Sequence, residues 1–174
     1  MPFQSPDVHC TINRNGRYVL TAPMVYKGRD DVFIVPTGFV TDLASIPSFL
    51  TWLVPIAGLA DRAAILHDSF CVGLENGEPA VSARDADNIF RRTLRELGVP
   101  TVRRWLMWAG VRWGALGTPS RRPGWLRDAP AVIGISVLAL PIVLPASVVV
   151  GLGLLLYTVA EMAARCAANV RGKR

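Results

Sequence analysis

The sequence predicts an α+β fold: a small N-terminal antiparallel β-hairpin or sheet packs on three or four helices, and a C-terminal transmembrane helical hairpin follows. Three observations support this prediction. The dipeptide Asn15-Gly16 lies between two short β-forming runs, helix caps recur over residues 45–113, and no charged residue occurs from Ala129 to Ala160. The first predicts strands, the second predicts helices, and the third predicts a segment that faces lipid.

Short strands are predicted between residues 9 and 41. Asn15-Gly16 is the strongest hairpin signal in the chain, because both residues tolerate positive φ. Two runs flank this turn and two further strands are expected after them. The four segments are 10–12, 18–20, 32–35 and 38–40.

Capping residues predict the helices. Ser45-Ile46-Pro47 is typical of an N-cap with proline in the first turn, and it indicates a short helix that ends at Trp52. Ser82 and Asp85 resemble a capping box at the start of another helix. Three helices are expected beyond the short one, over residues 58–72 with Gly73 as the stop, 82–97 and 100–113.

The length of 174 residues allows one average domain plus an appendage. Hydrophobic residues make up 51% of the chain, more than a soluble domain of this size needs, so part of this surface should face lipid. We therefore expect four segments. They are a soluble α+β domain (1–114), a basic Gly/Pro linker (115–128), a transmembrane or membrane-embedded helical segment (129–163) and a basic tail (164–174).

The 32 residues from Ala129 to Ala160 carry no charge and predict the membrane segment. A single helix of this length would span about 48 Å, whereas the hydrocarbon core of a bilayer is about 30 Å thick. Pro141 and Pro145 lie near the middle of the run and favour a bend, which favours a hairpin. A single span, a re-entrant or interfacial helix pair, and a hairpin buried in an oligomer are the alternatives.

Basic residues flank this run on both sides, and the net charge is +6. Since basic flanks stay in the cytoplasm, the soluble domain and the C-terminus should share the cytoplasmic side of an inner membrane. The three cysteines, Cys10, Cys71 and Cys166, have no CxxC spacing and indicate free thiols in a reducing compartment. The predicted partner is the lipid bilayer, with anionic headgroups and a protein partner as further options. Nucleic acid is not expected, because much of the basic charge brackets an apolar run.

The helix over residues 100–113 combines tryptophans with arginines. Both residue types suit the headgroup zone of a membrane. Alternatively, the tryptophans are core residues and the arginines form a solvated face. The residues concerned are Trp105, Trp108, Trp113, Arg103, Arg104 and Arg112.

Two polar residues fall on apolar helix faces. His67 has apolar residues one turn before and one turn after it, so its imidazole must find a partner in the core or stay neutral. Asp87 lies in the apolar stripe of its helix, where an unpaired carboxylate would be costly. The loop between the two helices is short, so we expect antiparallel neighbours in which His67 faces Asp87.

A pair formed by His67 and Asp87 can be interpreted in two ways. A carboxylate on one imidazole nitrogen leaves the other as a general base or a metal ligand. Asp68 and Asp42 are additional acidic candidates, so the candidate catalytic residues are His67, Asp87, Asp68 and Asp42. The other reading is a polar network that only stabilises the fold. The sequence assigns no cofactor and leaves the question of a metal open.

Four segments resemble, in chain order, the phage-associated family called domain of unknown function 1353. They are residues 36–47, 63–68, 84–90 and 109–112, and the resemblance covers residues 10–114. It implies a phage or prophage origin without implying an activity, because the family has no settled one. The apolar segment lies outside the resemblance.

A looser similarity exists to secretory phospholipases, which also place His-Asp on one helix and Asp on the next. It implies that His67 would activate water, that Asp87 would orient His67, and that Asp68 would help to hold calcium. The sequence departs from those enzymes, since it lacks their disulfide framework and a clear glycine-rich calcium loop.

Three functional hypotheses follow. The first is a phage-type membrane-anchored accessory protein of the host inner membrane, with a role in lysis, envelope passage or exclusion. The second is a hydrolase of a lipid or cell-wall substrate that uses the His/Asp residues. The third is a virion assembly component in which the His/Asp network is structural.

Overall fold

The computed structural model describes residues 3–4, 7–28, 31–43, 52 and 58–171, with side chains up to residue 168. Within these ranges, short antiparallel strands precede four helices, so the predicted α+β fold is confirmed. The short helix expected over residues 45–52 lies outside the described residues, apart from Trp52.

Five strands form two small antiparallel sheets. The first has the order β1-β2-β5 and the second pairs β3 with β4. Their bounds are β1 Cys10–Ile12, β2 Tyr18–Leu20, β3 Met24–Lys27, β4 Val32–Val35 and β5 Val40–Thr41. Strand β3 is missing from the sequence prediction, although Met24 and Tyr26 are buried with the two-residue period that a strand requires.

The hairpin predicted at Asn15-Gly16 is confirmed. Cys10 pairs with Leu20 across β1 and β2, and Gly16 has a φ of +75°. The side chain of Asn13 accepts hydrogen bonds from the backbone N–H groups of Asn15 and Arg17, which closes the turn.

Four α-helices follow the strands. Their bounds are α1 Asp61–Asn76, α2 Ala83–Glu96, α3 Thr101–Gly114 and α4 Trp125–Arg171. The predicted cap of α2 is confirmed, because the Ser82 side chain accepts a hydrogen bond from the backbone N–H of Asp85. The predicted stop at Gly73 is wrong. Helix α1 continues to Asn76, and Gly73 is needed because a Cβ there would lie 2.9 Å from the carbonyl oxygen of Glu78.

The core consists of three clusters that lead from the strands to α4. The first joins the strands to α1 and α2 and includes Leu20, Tyr26 and Phe70. The second, around Phe90 and Leu94, joins α1 and α2 to α3. The third consists of Trp108, Ala109 and Val132, and it fixes the start of α4 on α3.

The segment between α3 and α4 carries two short 3₁₀ turns, Ala115–Gly117 and Pro119–Arg121. The indole N–H of Trp125 donates a hydrogen bond to the carbonyl of Arg112 at 2.8 Å. The side chain of Arg122 donates to the carbonyl of Leu116. These bonds tie the segment back to the end of α3.

The predicted helical hairpin is not found, because α4 is one continuous helix of 47 residues that runs through Pro141 and Pro145. A reversal of the chain needs residues with turn chemistry, and only Ile142, Val143 and Leu144 lie between the two prolines. By length and composition, α4 could cross a membrane: within residues 125–168, the most apolar 18-residue stretch has a mean hydropathy of 2.5, and 6% of that stretch is buried. One crossing would place the two basic flanks on opposite sides, contrary to the arrangement expected from a hairpin.

Candidate functional site

Asp87 is the centre of a buried cluster of charged side chains. It lies on the core face of α2 and is 1% exposed. The His67 ring projects from α1, and its Nε2 lies 2.6 Å from Oδ1 of Asp87. The antiparallel packing of α1 on α2 therefore brings together the two residues that the sequence places on apolar faces.

Two arginines, one in α3 and one after it, also contact Asp87. Arg112 of α3 is fully buried, and its Nη1 donates a hydrogen bond to Oδ2 of Asp87 at 2.8 Å. Arg121 follows α3, and its Nη2 lies 3.8 Å from Oδ1 of Asp87. The carboxylate is thus shared among three cationic groups from three parts of the chain.

A second buried carboxylate extends the cluster to α4. Asp128 lies in the first turn of α4 and is 6% exposed. Arg84 of α2 binds it through Nε and Nη2, at 3.0 and 2.8 Å from Oδ1. Nε of Arg112 lies 3.4 Å from Oδ2 of Asp128, an ion-pair distance without hydrogen-bond geometry. We call His67, Asp87, Arg112, Asp128 and Arg84 the ionic cluster.

The charges of the cluster stabilise one another. Burial alone would raise the pKa of Asp87, but the contacts with His67 and the two arginines outweigh it and hold the pKa below its usual value. Burial also acts to lower the pKa of His67. The hydrogen bond to Asp87 and the contact with Cys71 overcome this effect and raise the pKa of His67 to about 9. At neutral pH, His67 is therefore an imidazolium.

The surroundings of His67 leave no imidazole nitrogen open to a substrate. The ring is 6% exposed and packs on Phe90, with 4.9 Å between the ring centroids. Its Nδ1 lies 3.7 Å from Sγ of Cys71, and its Nε2 is bonded to Asp87. A general base needs an accessible lone pair, and a buried imidazolium has none. This geometry suits structural stabilisation.

The other two candidate catalytic residues, Asp68 and Asp42, do not take part in the bond between His67 and Asp87. Asp68 is half-buried and accepts a hydrogen bond from Oγ1 of Thr41 at 2.6 Å, and burial raises the pKa of Asp68 to about 6. The side chain of Asp42 is exposed. In the part of the chain that the structure describes, no group of three or more His, Cys, Asp or Glu side chains is placed to hold a metal ion.

Sequence reasoning missed Arg112 and Asp128 as members of the site. Arg112 was expected in the headgroup zone or on a solvated face, and both expectations are wrong, because the side chain is fully buried. A signal existed: Trp105, Trp108 and Arg112 share one face of α3 at helical spacing, the same pattern that identified Asp87. Asp128 gave no such signal, since its burial depends on the docking of α4.

Removal of the Asp87 charge should destabilise the whole domain. We expect Asp87→Asn to lower the free energy of unfolding by about 3–5 kcal/mol, because it leaves the buried guanidinium of Arg112 and the imidazole of His67 without their anion. Thermal unfolding of the full chain in detergent micelles measures this loss. The control is Asp85→Asn on the same helix, an exposed carboxylate whose loss should cost less than about 1 kcal/mol. Equal effects of the two substitutions would contradict a central role for Asp87.

Stability should fall on the alkaline side. The folded pKa of His67 is raised from 6.5 to about 9, so its stabilisation is complete below pH 6.5 and is lost as pH rises through 9. The raised pKa of Asp68 acts in the same direction but at lower pH. We expect wild-type stability to fall by about 3 kcal/mol between pH 6.5 and 9. A His67→Gln chain should lack this slope; a wild-type melting temperature that stays level or rises over this interval would refute the assignment.

One protein family matches this chain. The family described as "Protein of unknown function (DUF1353)" matches residues 18–111, which include β2 to β5, α1, α2 and most of α3. Of the ionic cluster, His67, Arg84 and Asp87 lie within this match and Arg112 lies directly beside its end, whereas Asp128 lies beyond it. Searches of curated proteins and of solved structures gave no match. Because the match covers more than half of the sequence, the chain belongs to the DUF1353 family of proteins of unknown function.

Proposed function

We propose that this protein is a membrane-anchored accessory protein of a phage or prophage that holds its α+β domain at the inner membrane of the host through α4. The observation that carries this proposal is an exposed apolar helix whose first turn is ion-paired to a fully buried arginine. The ion pair joins Asp128 in the first turn of α4 to the fully buried Arg112. In this reading the ionic cluster joins the domain firmly to its anchor.

The exposure of side chains divides α4 into two parts. The docked part, residues 125–136, contains the fully buried Val132 and a hydrogen bond of 3.0 Å from the Trp113 indole to Oγ of Ser136. From Val137 onward most of the large apolar side chains are exposed, as in Leu138 at 81% and Ile142 at 70%. The exposed part up to Ala160 would be about 36 Å long, enough to cross a hydrocarbon core of about 30 Å.

Water is an unfavourable surrounding for this exposed part. Transfer of one Leu or Val side chain out of water is worth about 1.5–3 kcal/mol, and the segment exposes many such side chains. The described domain packs on residues up to Ser136 and covers little beyond them. A bilayer would remove the exposed surface from water, and all members of the ionic cluster would stay outside it.

The cysteines support a position of the domain on the cytoplasmic side of the membrane. Cys10 and Cys71, the two cysteines of the domain, are free thiols, which is typical of a reducing compartment. We therefore place the domain in the cytoplasm. With one crossing the C-terminal tail lies on the opposite side, which replaces the shared side expected from a hairpin.

The biological setting is supported by the resemblance of residues 36–47 to a phage-associated family. A role in lysis, envelope passage or exclusion would require a protein partner at the same membrane. The hydrolase hypothesis gains no support from the geometry at His67, because the imidazolium is sealed. A virion component with a structural network would share the ionic cluster, but it would not need an exposed apolar helix.

Membrane insertion can be measured by extraction. We expect the full chain, expressed in bacteria, to stay in the membrane pellet after washes with high salt and alkaline carbonate. Leu152→Arg places a charge within the exposed apolar part, at a cost of about 3 kcal/mol, and should increase the washed-off fraction. Leu126→Arg, an exposed position outside the charge-free run, is the matched control and should leave the pellet fraction unchanged. A wild-type chain that washes off would refute the anchor.

The number of crossings can be measured by labelling with a membrane-impermeant maleimide. Cys166 is exposed at the far end of α4. A second reporter, Arg14→Cys in a Cys166→Ser background, marks the exposed hairpin of the domain. With a single crossing we expect the two sites to be labelled from opposite faces of sealed vesicles. Labelling of both from one face would show that α4 does not cross the membrane once.

A further inference from the structure

An arginine-lined cleft lies beside the third core cluster and is separate from the ionic cluster. Its volume is about 600 Å³. Four arginines line it, together with two carboxylates at positions 31 and 85. Its helical wall includes Asn88, Arg91, Arg92 and Arg95 of α2 with Arg104 and Trp105 of α3.

The arginines of α2 share one helix face. Positions 88, 91, 92 and 95 follow the spacing that brings side chains to the same side of a helix, and Arg104 approaches from α3. Like charges at this spacing repel one another and destabilise the helix. A concentration of cations at a cleft is therefore unfavourable unless an anion joins them.

The two carboxylates of the lining do not balance its four arginines, so an excess of positive charge remains at the cleft. Within the described ranges, Arg91, Arg95 and Arg104 form no ion pair. The guanidinium of Arg91 stacks on the Trp105 ring at 4.1 Å, and its Nε is buried without a hydrogen-bond partner. Burial, and then the charges of Arg104 and Arg95, lower the pKa of Arg91.

The wall of the cleft is held in place before any ligand binds. Nε of Arg92 donates a hydrogen bond to the Tyr26 hydroxyl at 3.1 Å, and that hydroxyl donates to Glu96 at 2.9 Å. The stack on Trp105 fixes Arg91 in the same way. Ordered guanidinium groups lose less entropy when they bind, and their planar forks match the oxygens of a phosphate.

We propose that this cleft binds the phosphate of an anionic phospholipid headgroup, an inference that rests on the membrane anchor proposed above. A polar cavity of this size accommodates a headgroup, and its arginines and Asn88 suit a headgroup better than an acyl chain. The arginines would position the domain against the surface of the bilayer.

The location of the cleft favours a lipid over a soluble phosphate. Trp105 packs edge-on against Trp108 at 5.5 Å, and Trp108 packs on Val132 in the docked part of α4. The cleft is therefore close to the point where α4 leaves the domain. In an anchored protein this point lies near the headgroups, and tryptophan beside arginine is favourable there.

The test uses the full chain in neutral maltoside micelles, titrated with dioctanoyl phosphatidylglycerol and, separately, with dioctanoyl phosphatidylcholine. Native mass spectrometry measures the bound lipid. We expect saturable binding of the anionic lipid, at least about tenfold tighter than that of the zwitterionic lipid.

Two matched double variants distinguish binding at the cleft from a general effect of the net charge of the protein. Arg95→Gln/Arg104→Gln removes two charges from the cleft, and Arg14→Gln/Arg17→Gln removes two exposed charges from the β1–β2 hairpin. We expect the cleft variant to weaken binding of the anionic lipid about tenfold and the hairpin variant to change it less than about twofold. Melting temperatures verify that both variants are folded.

Four results would overturn the inference. They are equal binding of the two lipids, equal effects of the two double variants, inorganic phosphate binding as tightly as the anionic lipid, and tighter cleft-dependent binding of a short single-stranded oligonucleotide. The alkaline extraction described above reports on the anchor alone. A chain that stays embedded but does not select the anionic lipid refutes only the cleft, and a chain that washes off but selects it refutes only the anchor.

Discussion

A carboxylate that is removed from water must be surrounded by cations, and this constraint on Asp87 organises the helical part of the protein. A buried, unpaired aspartate would be costly, so each helix that packs around it contributes a compensating group. His67 comes from α1, Arg112 from α3, and Arg121 from the segment that follows α3. The relative positions of three helices are thereby fixed by one side chain. Such a requirement is directional, whereas apolar contacts tolerate sliding and rotation.

The guanidinium of Arg112 links Asp87 to α4, because it also contacts Asp128. A fully buried arginine has more donors than Asp87 alone can accept, and Asp128 supplies a second anion from the first turn of the long helix. Arg84 then ties Asp128 back to α2. Helix α4 is therefore held by charge as well as by the packing of Val132 on Trp108. Asp87 and Asp128 share Arg112, so a change at either carboxylate alters the surroundings of the same buried guanidinium.

Local signals predicted much of this structure. The positive φ at Gly16 and the Ser82 cap depend on a few adjacent residues, and both were read correctly. The stripe of α2 identified Asp87 as a buried residue. Two of the failures depend on distant contacts, and the third depends on missing turn residues. Gly73 is required by the close carbonyl of the following loop, and Asp128 is buried only because α4 docks. The helical hairpin was predicted in α4 although the segment between the prolines lacks the turn residues that a reversal needs.

Of the three prolines within α4, Pro141 and Pro145 affect the backbone just beyond the docked part. Proline has no backbone N–H, so Pro141 leaves the carbonyl of Val137 without its helical donor, and Pro145 does the same to the carbonyl of Pro141. Both oxygens lie within the first two turns after Ser136, where the helix leaves the domain. In the middle of a hydrocarbon layer such acceptors would be costly, but near its boundary water can satisfy them. Under the proposed anchoring, the weakest backbone of the helix lies toward the domain end of the apolar part, where solvent can reach it, and any bending there would leave the docked turns undisturbed.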